Sequence, residues 1–293
     1  MVSIKRKVEK GRTYYYLRHT YRENGKVLAK EKYLGSKLPK DVEKIKKEFI
    51  FDIYSEKWFS KFEAIRKNYL RKIRETPKSE REKNTEVFSI RFTYDTQRIE
   101  GSKLTLRETA NLIEGGISPP NRPIHDIKEA EAHQRIFKKM LSIDRDLSQN
   151  LLLDWHRELF SGTKPDIAGK LRVSDVRISG GRFVPPTNLE IYALVKEFFS
   201  WYERNKNKIN PVELAALVHL KLVTIHPFAY GNGRISRLAM NFVLNRHGFP
   251  MMNIEYENRN SYYKALERSQ IKKEDSIFLI WFFKRYLREN SKK

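Results

Sequence analysis

One stretch, residues 226–237, combines residue types that can bind a phosphate group and move a proton. It reads His-Pro-Phe-Ala-Tyr-Gly-Asn-Gly-Arg-Ile-Ser-Arg. Pro227 disfavours α-helical geometry at His226, so we expect a helix to end there. Gly231 and Gly233 permit the positive φ angles of a tight loop. The apolar spacing that follows predicts a second helix, which begins near Gly233.

The chemistry that this stretch favours is transfer of a phosphate-bearing group to a hydroxyl. Free N–H groups at a helix N-terminus bind anions, and Asn232 adds an amide donor. Arg234 and Arg237 lie three residues apart, so both guanidinium groups can face one anion. His226 is a candidate general base, since the ordinary pKa of histidine lies near neutrality. A purely structural helix–loop–helix would explain the histidine alone, but not the whole set.

The stretch resembles the signature of the Fic-domain family, H-P-F-x-[D/E]-G-N-G-R-x-x-R, at eight of its nine specified positions. The resemblance implies an enzyme, a nucleotidyltransferase that moves AMP from ATP, with Mg²⁺ or Mn²⁺, onto a Ser, Thr or Tyr hydroxyl of a target protein. It implies that His226 deprotonates that hydroxyl. The residues that it assigns to the phosphates are Gly231, Asn232, Gly233, Arg234 and Arg237.

The ninth position departs from the signature, because Tyr230 stands where the family has an acid. Magnesium prefers hard oxygen ligands, and a tyrosine hydroxyl with an ordinary pKa near 10 is a poor one. Three outcomes stay open: a metal ion held by ATP and water alone, a different metal or phosphate donor, or a degenerate fold that regulates or binds nucleic acid. No metal ligand is assigned.

A second motif lies upstream, where Thr96 and Glu100 are four residues apart and share a helix face. It resembles the family's inhibitory motif, [S/T]-x-x-x-E-[G/N], of the type that precedes the signature in the same chain. The resemblance implies that Glu100 pairs with Arg237, because one guanidinium cannot fork both a carboxylate and the γ-phosphate. Alternatively, Glu100 orients a water that attacks an AMP–protein bond, which would make the chain a de-AMPylase.

Two further features resemble parts of the family's substrate site. Residues 170–178 and 182–184 are β-like runs joined by a glycine-containing turn, which predicts a hairpin. It is similar to the family's flap, which aligns an extended target segment by main-chain pairing. The flap residues implied are Val176, Arg177, Ile178, Phe183 and Val184. Tyr263 resembles the aromatic residue that stacks near the adenine.

The elements around these motifs predict a mainly α fold. We expect a Fic-type helical bundle with a small β-hairpin flap, preceded by an antiparallel β module and a helical linker. The expected boundaries are 1–38 for the module, 39–84 for the linker and 85–287 for the bundle, with the inhibitory helix at about 86–100. A turn is expected at Glu23-Asn24-Gly25, and residues 78–84 are expected to form a charged connection.

Composition limits the remaining possibilities. The 293 residues contain no cysteine, which excludes disulfides and thiolate catalysis, and carry a net charge of +23. No apolar run long enough for a membrane span or signal peptide is present, so we expect a cytoplasmic protein without a membrane partner. Residues 1–40 hold twelve Lys and Arg against three acids. With their tyrosines, they suit nucleic-acid contact, although an ordinary solvated face explains them too. A homo-oligomer is left open.

Overall fold

The computed structural model describes residues 2–23 and 26–290, and the chain divides into two compact units, residues 1–63 and 64–293. The first unit holds a three-stranded antiparallel sheet in the order β1-β2-β3. The strands are β1 (Val2–Glu9), β2 (Arg12–Glu23) and β3 (Lys26–Gly35). The predicted strands are confirmed, whereas the expected turn residues Asn24 and Gly25 lie outside the described residues.

One face of this sheet packs on the first turns of helix α1 (Val42–Glu75). Leu17 is fully buried against Phe49 and Ile53. Because side chains alternate along a strand, Tyr16 on the same strand faces the other way, towards Tyr33. The unit therefore has one apolar and one aromatic and basic face.

The second unit consists of helices. Their bounds are α2 (Lys78–Ile99), α3 (Leu106–Gly115), α4 (Ile124–Leu141), α5 (Gln149–Phe160), α6 (Ile191–Asn205), α7 (Pro211–Ile225), α8 (Asn232–Arg246), α9 (Arg259–Lys272) and α10 (Asp275–Asn290). The mainly α fold class is thus confirmed. Within residues 2–23 and 26–290, no helix is both long and apolar enough to cross a membrane.

Local sequence explains where several of these helices begin. The Thr105 hydroxyl accepts from the Glu108 N–H, and the Glu108 carboxylate accepts from the Thr105 N–H, which forms a capping box at the start of α3. Ser148 caps α5, and Asn210 caps α7 ahead of Pro211. Helix α7 is buried on nearly every side and carries the signature loop at its C-terminal end.

Two expectations need correction. Residues 78–84 are not a connection but the first turns of α2. Nothing in them breaks a helix, and opposite charges lie four residues apart, as in the Lys78–Glu82 pair at 3.8 Å. The expected flap does turn back, with the Gly181 N–H donating to the Ile178 carbonyl at 3.1 Å. However, its two arms do not pair as strands, since side chains take backbone groups that a ladder would use.

Candidate active site

The loop between α7 and α8 begins with a strained histidine. His226 takes left-handed geometry, with φ 55° and ψ 56°, and its N–H closes the helix by donating to the Leu222 carbonyl at 2.9 Å. The expected helix end is confirmed, although the backbone is left-handed rather than extended. Such conformations in a residue other than glycine concentrate at functional sites, where surrounding packing maintains them.

One ring nitrogen of His226, Nδ1, lies against a backbone carbonyl, and the other, Nε2, can act as a base. Its Nδ1 lies 3.2 Å from the Val223 carbonyl, which can only accept, so Nδ1 carries the proton and Nε2 keeps its lone pair. Burial lowers the pKa of His226 below its ordinary value, against the raising effects of the Val223 carbonyl and the Glu100 carboxylate. At neutral pH the imidazole is therefore a neutral base.

Two buried polar side chains hold the loop. The Asn232 amide accepts from the Phe228 N–H at 2.9 Å and donates to the Phe228 carbonyl at 2.7 Å. His156 accepts from the Gly169 N–H at 2.9 Å, so its Nε2–H donates to the Tyr230 carbonyl at 3.1 Å. Asn232 was expected to donate its amide to an anion, but this amide instead closes the loop.

The glycines of the loop are required by their neighbours. Gly231 has φ 78°, and a Cβ there would lie 2.5 Å from the Phe160 ring. A Cβ at Gly233 would collide with the Glu100 carboxylate and lie 2.9 Å from the Arg237 guanidinium. No side chain caps the N-terminus of α8. Its first N–H groups can therefore receive an anion, as the sequence predicts.

Arg237 lies where α2 ends against α8. It is 1% exposed and donates from Nη2 to Glu100 Oε1 at 2.8 Å. It also donates from Nε to the Thr96 hydroxyl at 2.9 Å and from Nη2 to the Thr96 carbonyl at 3.2 Å. The structure thus brings together the three residues of the upstream motif and the signature.

The Glu100 carboxylate is ionised in this position. Burial opposes ionisation, but the Arg237 and Arg234 guanidinium groups outweigh it and hold the pKa of Glu100 below its ordinary value. Its side chain is 26% exposed and sits just beyond the end of α2. Glu100 therefore lies against Gly233 at the N-terminus of α8 and just outside helix α2.

Arg234 has a different environment from Arg237. It donates from Nη1 to the Gln97 amide oxygen at 3.0 Å and to the Glu129 carboxylate, both buried. The Arg234 and Lys164 cations hold the pKa of Glu129 below its ordinary value in spite of burial. The family resemblance implies that Arg234 contacts the phosphates, whereas this guanidinium is hydrogen-bonded to Gln97 on α2 and Glu129 on α4.

Two adjacent tyrosines on α9 differ in exposure: Tyr262 is buried and Tyr263 is exposed. The Tyr262 hydroxyl accepts from Arg237 Nη1 at 3.4 Å and contacts His219 Nε2 at 2.8 Å. Burial raises the pKa of Tyr262 to about 12. Tyr263 is 44% exposed, and its hydroxyl donates to the Ile99 carbonyl at 2.9 Å. Of the two, Tyr263 is the exposed ring beside the end of α2.

A buried arginine that no sequence motif indicates joins the loop to the flap. Arg172 donates to the carbonyls of His226 at 2.8 Å, Ser174 at 2.9 Å and Pro186. Its own N–H donates to the Pro227 carbonyl at 2.9 Å. These bonds replace a strand ladder in the flap arms and tie both arms to the histidine.

The flap itself presents its side chains at the surface. Arg177 and Val184 are exposed, and the other predicted flap residues are half-buried: Val176, Ile178 and Phe183. The Glu267 carboxylate on α9 accepts from the Arg182 N–H at 2.6 Å. A cavity of about 400 Å³ lies beneath, lined in part by Phe183, Thr224 and Gln270.

The residues present do not fit a divalent cation at position 230. Tyr230 is 59% exposed and offers no carboxylate. The carboxylates of Glu100 and Glu129 are already engaged by arginines. Among residues 2–23 and 26–290, no group of three or more His, Asp or Glu side chains could hold a metal ion.

The residues around the loop that the sequence did not indicate are buried or half-buried and come from other helices and from the segment between α5 and α6. They are Gln97, Glu129, His156, Lys164 and Arg172. None lies in the signature, and each reaches the signature loop across 50 residues or more of sequence, as in the Arg172–His226 bond, 54 residues apart. Spacing along one helix therefore could not reveal them.

Comparison with known proteins gives a consistent result. Residues 146–244 match the family model described as Fic/DOC family. A protein named "Protein adenylyltransferase fic-1" from Caenorhabditis elegans is 34% identical over 181 residues, covering 60% of this chain and 35% of its own length. "Protein adenylyltransferase Fic" from Drosophila grimshawi is 35% identical over 184 residues, covering 59% and 36%. The chain thus spans little more than a third of these relatives.

Solved structures share the fold. A Fic domain containing signaling protein from Bacteroides thetaiotaomicron is 25% identical with a TM-score of 0.69, covering 80% of this chain and 94% of that one. A fragment of Fic-1 from C. elegans is 24% identical with a TM-score of 0.69, covering 83% and 72%. The match to the Bacteroides chain extends over nearly its whole length.

Proposed function

We propose that this chain, whose residues 146–244 match the model of the Fic/DOC family, is an autoinhibited protein adenylyltransferase. It transfers AMP from ATP to a Ser, Thr or Tyr hydroxyl of a target protein. The observation that carries the proposal is the joint placement of a neutral His226, an uncapped N-terminus of α8 and the Glu100–Arg237 pair at 2.8 Å. The names of the relatives favour transfer over the reverse reaction.

The proposed chemistry uses groups whose geometry is described above. His226 Nε2 takes the proton of the target hydroxyl while that oxygen bonds to the α-phosphorus of ATP. The bond between the α-phosphorus and the bridging oxygen breaks, and pyrophosphate leaves. The N–H groups that begin α8 stabilise the charge on the phosphates. The exposed Tyr263 ring stacks on the adenine, and the flap aligns the target beside the histidine.

Inhibition follows from the position of Glu100. Its carboxylate neutralises Arg237 and lies against Gly233, where a phosphate would approach the N-terminus of α8. A phosphate at the same place meets both like charge and occupied donors. Release of Glu100 leaves Arg237 held by the Thr96 hydroxyl and carbonyl, so the guanidinium stays in place to receive an anion.

The experiment that tests the proposal is label transfer from α-labelled ATP to the protein itself and to a cell lysate. Wild type, Glu100→Gly and the double variant Glu100→Gly with His226→Ala are compared. We expect label only with Glu100→Gly. Equal label with wild type and Glu100→Gly would refute the inhibition, and label that survives His226→Ala would refute the role of His226. If none of the three transfers label, transferase activity is refuted for this chain.

A matched control is provided by Glu114. It also stands at the end of a helix, directly before a glycine, and is exposed. Glu114→Gly repeats the substitution away from Arg237, so its transfer should equal that of wild type. Activation by Glu114→Gly as well would mean that loosened helices, rather than loss of the ion pair, cause activity.

A second candidate function, nucleic-acid binding by residues 1–40, is favoured by the exposed face of the sheet. The Lys7 ammonium lies 4.4 Å from the centroid of the Tyr16 ring, which lies 5.2 Å from that of Tyr33. Lys5 and Lys7 share one carboxylate, Glu31, at 3.4 and 3.0 Å. Arg18 lies 3.8 Å from the same carboxylate, so three cations surround one anion beside the two tilted rings. This arrangement suits a phosphate backbone with its bases.

The full chain tests this second function. Anisotropy of a labelled 20-mer duplex and a single strand is measured from about 50 to 200 mM salt. Lys7→Gln should weaken binding and lower the salt slope by about one. The matched variant Arg6→Gln, on the opposite face, should change neither. No binding at the lowest salt would refute nucleic-acid binding. The cytoplasmic location and the oligomeric state stay predictions.

A further inference from the structure

The Lys164 side chain lies beside Tyr230, the residue that stands where the family signature has an acid. The Lys164 ammonium is 5.5 Å from the centroid of the Tyr230 ring and 5.2 Å from that of Phe160. The faces of aromatic rings attract cations at such distances. Tyr230, which has no carboxylate to bind a metal ion, therefore lies next to the positive charge of Lys164.

Hydrogen bonds from both its backbone N–H and its side-chain ammonium fix the position of Lys164. Its N–H donates to the Phe160 carbonyl at 2.7 Å, in the turn that follows α5. Its ammonium donates to Glu129 Oε1 at 2.6 Å, and the Thr163 hydroxyl donates to the same oxygen at 2.9 Å. The side chain keeps 30% exposure. The ammonium thus stands between a buried carboxylate and solvent, with donors left for a ligand.

The charges around the loop leave one positive charge unbalanced. Glu129 is the single carboxylate shared by Arg234 and Lys164, while Arg237 is balanced by Glu100. A carboxylate that holds a divalent cation also sums to one positive charge. Tyr230 with Lys164 therefore presents the same net charge to a phosphate as an acid with a bound Mg²⁺ would.

We propose that Lys164, placed beside Tyr230, supplies the positive charge that a divalent cation would otherwise supply at the phosphates of a bound nucleoside triphosphate. The site accordingly binds the metal-free nucleotide. A lysine ammonium suits this role because it binds phosphate as a compact point charge. The inference rests on the proposed function, since it takes the anion at the N-terminus of α8 to be a nucleotide phosphate.

Calorimetric titration with ATP tests the inference, with EDTA or with Mg²⁺, in the Glu100→Gly background. We expect ATP to bind at least as tightly with EDTA as with Mg²⁺. Lys164→Met should weaken binding with EDTA about tenfold, the effect of one nearby charge at the protein surface, and Lys164→Arg should stay within about threefold. Lys128→Met is the matched control, because Lys128 contacts the same turn through the Gly162 carbonyl at 3.4 Å.

A double variant separates charge from structure. Lys164→Met combined with Tyr230→Asp should regain tight binding only when Mg²⁺ is present, which a merely structural lysine would not explain. Thermal unfolding checks that each variant is folded, and Lys164→Gln, which keeps a donor for Glu129, replaces Lys164→Met if that variant is not. If ATP bound at least tenfold more tightly with Mg²⁺ than with EDTA in the unaltered loop, or if Lys164→Met had no effect, this inference would be overturned while the proposed function would stand. No ATP binding in any variant would refute the proposed function with it.

Discussion

Glu129→Gln should destabilise the unit formed by residues 64–293 by about 3 kcal/mol, because it leaves a buried guanidinium without its counter-ion. The side chains of Arg234 and Glu129 are 7% and 6% exposed. Removing one partner of such a pair costs about 3–5 kcal/mol. We place this variant at the lower end, since the amide keeps one acceptor oxygen and Gln97 still accepts from Arg234 at 3.0 Å.

The assay is thermal and urea unfolding of the full chain at pH 7. A loss of about 3 kcal/mol in a unit of this size lowers Tm by about 6–12 °C. Glu158→Gln is the matched control, because Glu158 pairs with the 64% exposed Lys139 at 2.8 Å. Surface pairs of this kind contribute at most about 1 kcal/mol. A loss below about 1 kcal/mol for Glu129→Gln would refute the reasoning.

The pH dependence gives an independent check with a definite sign. The cations around Glu129 hold its folded-state pKa below the ordinary value. Its stabilisation is therefore complete above the unfolded pKa of about 4.3 and is lost as pH falls through the lower folded pKa. The difference in unfolding free energy between wild type and Glu129→Gln should be full at pH 7 and shrink below about pH 4. An equal difference at pH 7 and pH 3 would contradict an electrostatic cause.

Three other predictions follow from the site. In the Glu100→Gly variant, kcat/KM should decrease as the pH is lowered, with an apparent pKa below 6.5, because burial lowers the pKa of His226. A pH–rate profile whose acid limb has an apparent pKa above 7 would contradict this. Asn232→Ala should lower the free energy of unfolding by about 2 kcal/mol and AMP transfer at least tenfold, since both bonds to Phe228 are lost. Chemical unfolding and label transfer measure these effects, and unchanged values would disprove that Asn232 holds the loop. Tyr263→Leu should raise KM for ATP several-fold at unchanged Tm, whereas Tyr262→Leu should lower Tm; equal KM for Tyr263→Leu and wild type would exclude stacking.

Short-range signals in the sequence predicted the elements well, because propensity and capping act within a few residues. Pro211 and the capping residue before it fix the start of α7, and the His226–Pro227 dipeptide fixes its end. The same reasoning misjudged residues 78–84, where dense charge was interpreted as a connection. Charges of alternating sign support an exposed helix as well as a loop, so composition alone could not decide.

The flap shows where short-range patterns mislead. Its β-formers and its glycine turn predict two paired strands, and the turn is present. The pairing is replaced by bonds from Arg172, whose guanidinium takes the carbonyls of Ser174 and Pro186. Pro185 and Pro186 also lack the N–H groups that a ladder needs. Side-chain bonds to the backbone therefore take the place of the strand pairing that the local pattern predicts.

The two arginines of the signature illustrate what only the fold can distinguish. In sequence Arg234 and Arg237 are equivalent, three residues apart on one helix. In the structure Arg234 is paired with Glu129, which lies within α4. Arg237 is paired with Glu100, just past the end of α2 and followed by a glycine at φ 102°. Because Glu100 lies beyond the end of its helix, the proposed inhibition assigns control of the anion site to Arg237, while Arg234 ties the loop to α2 and α4.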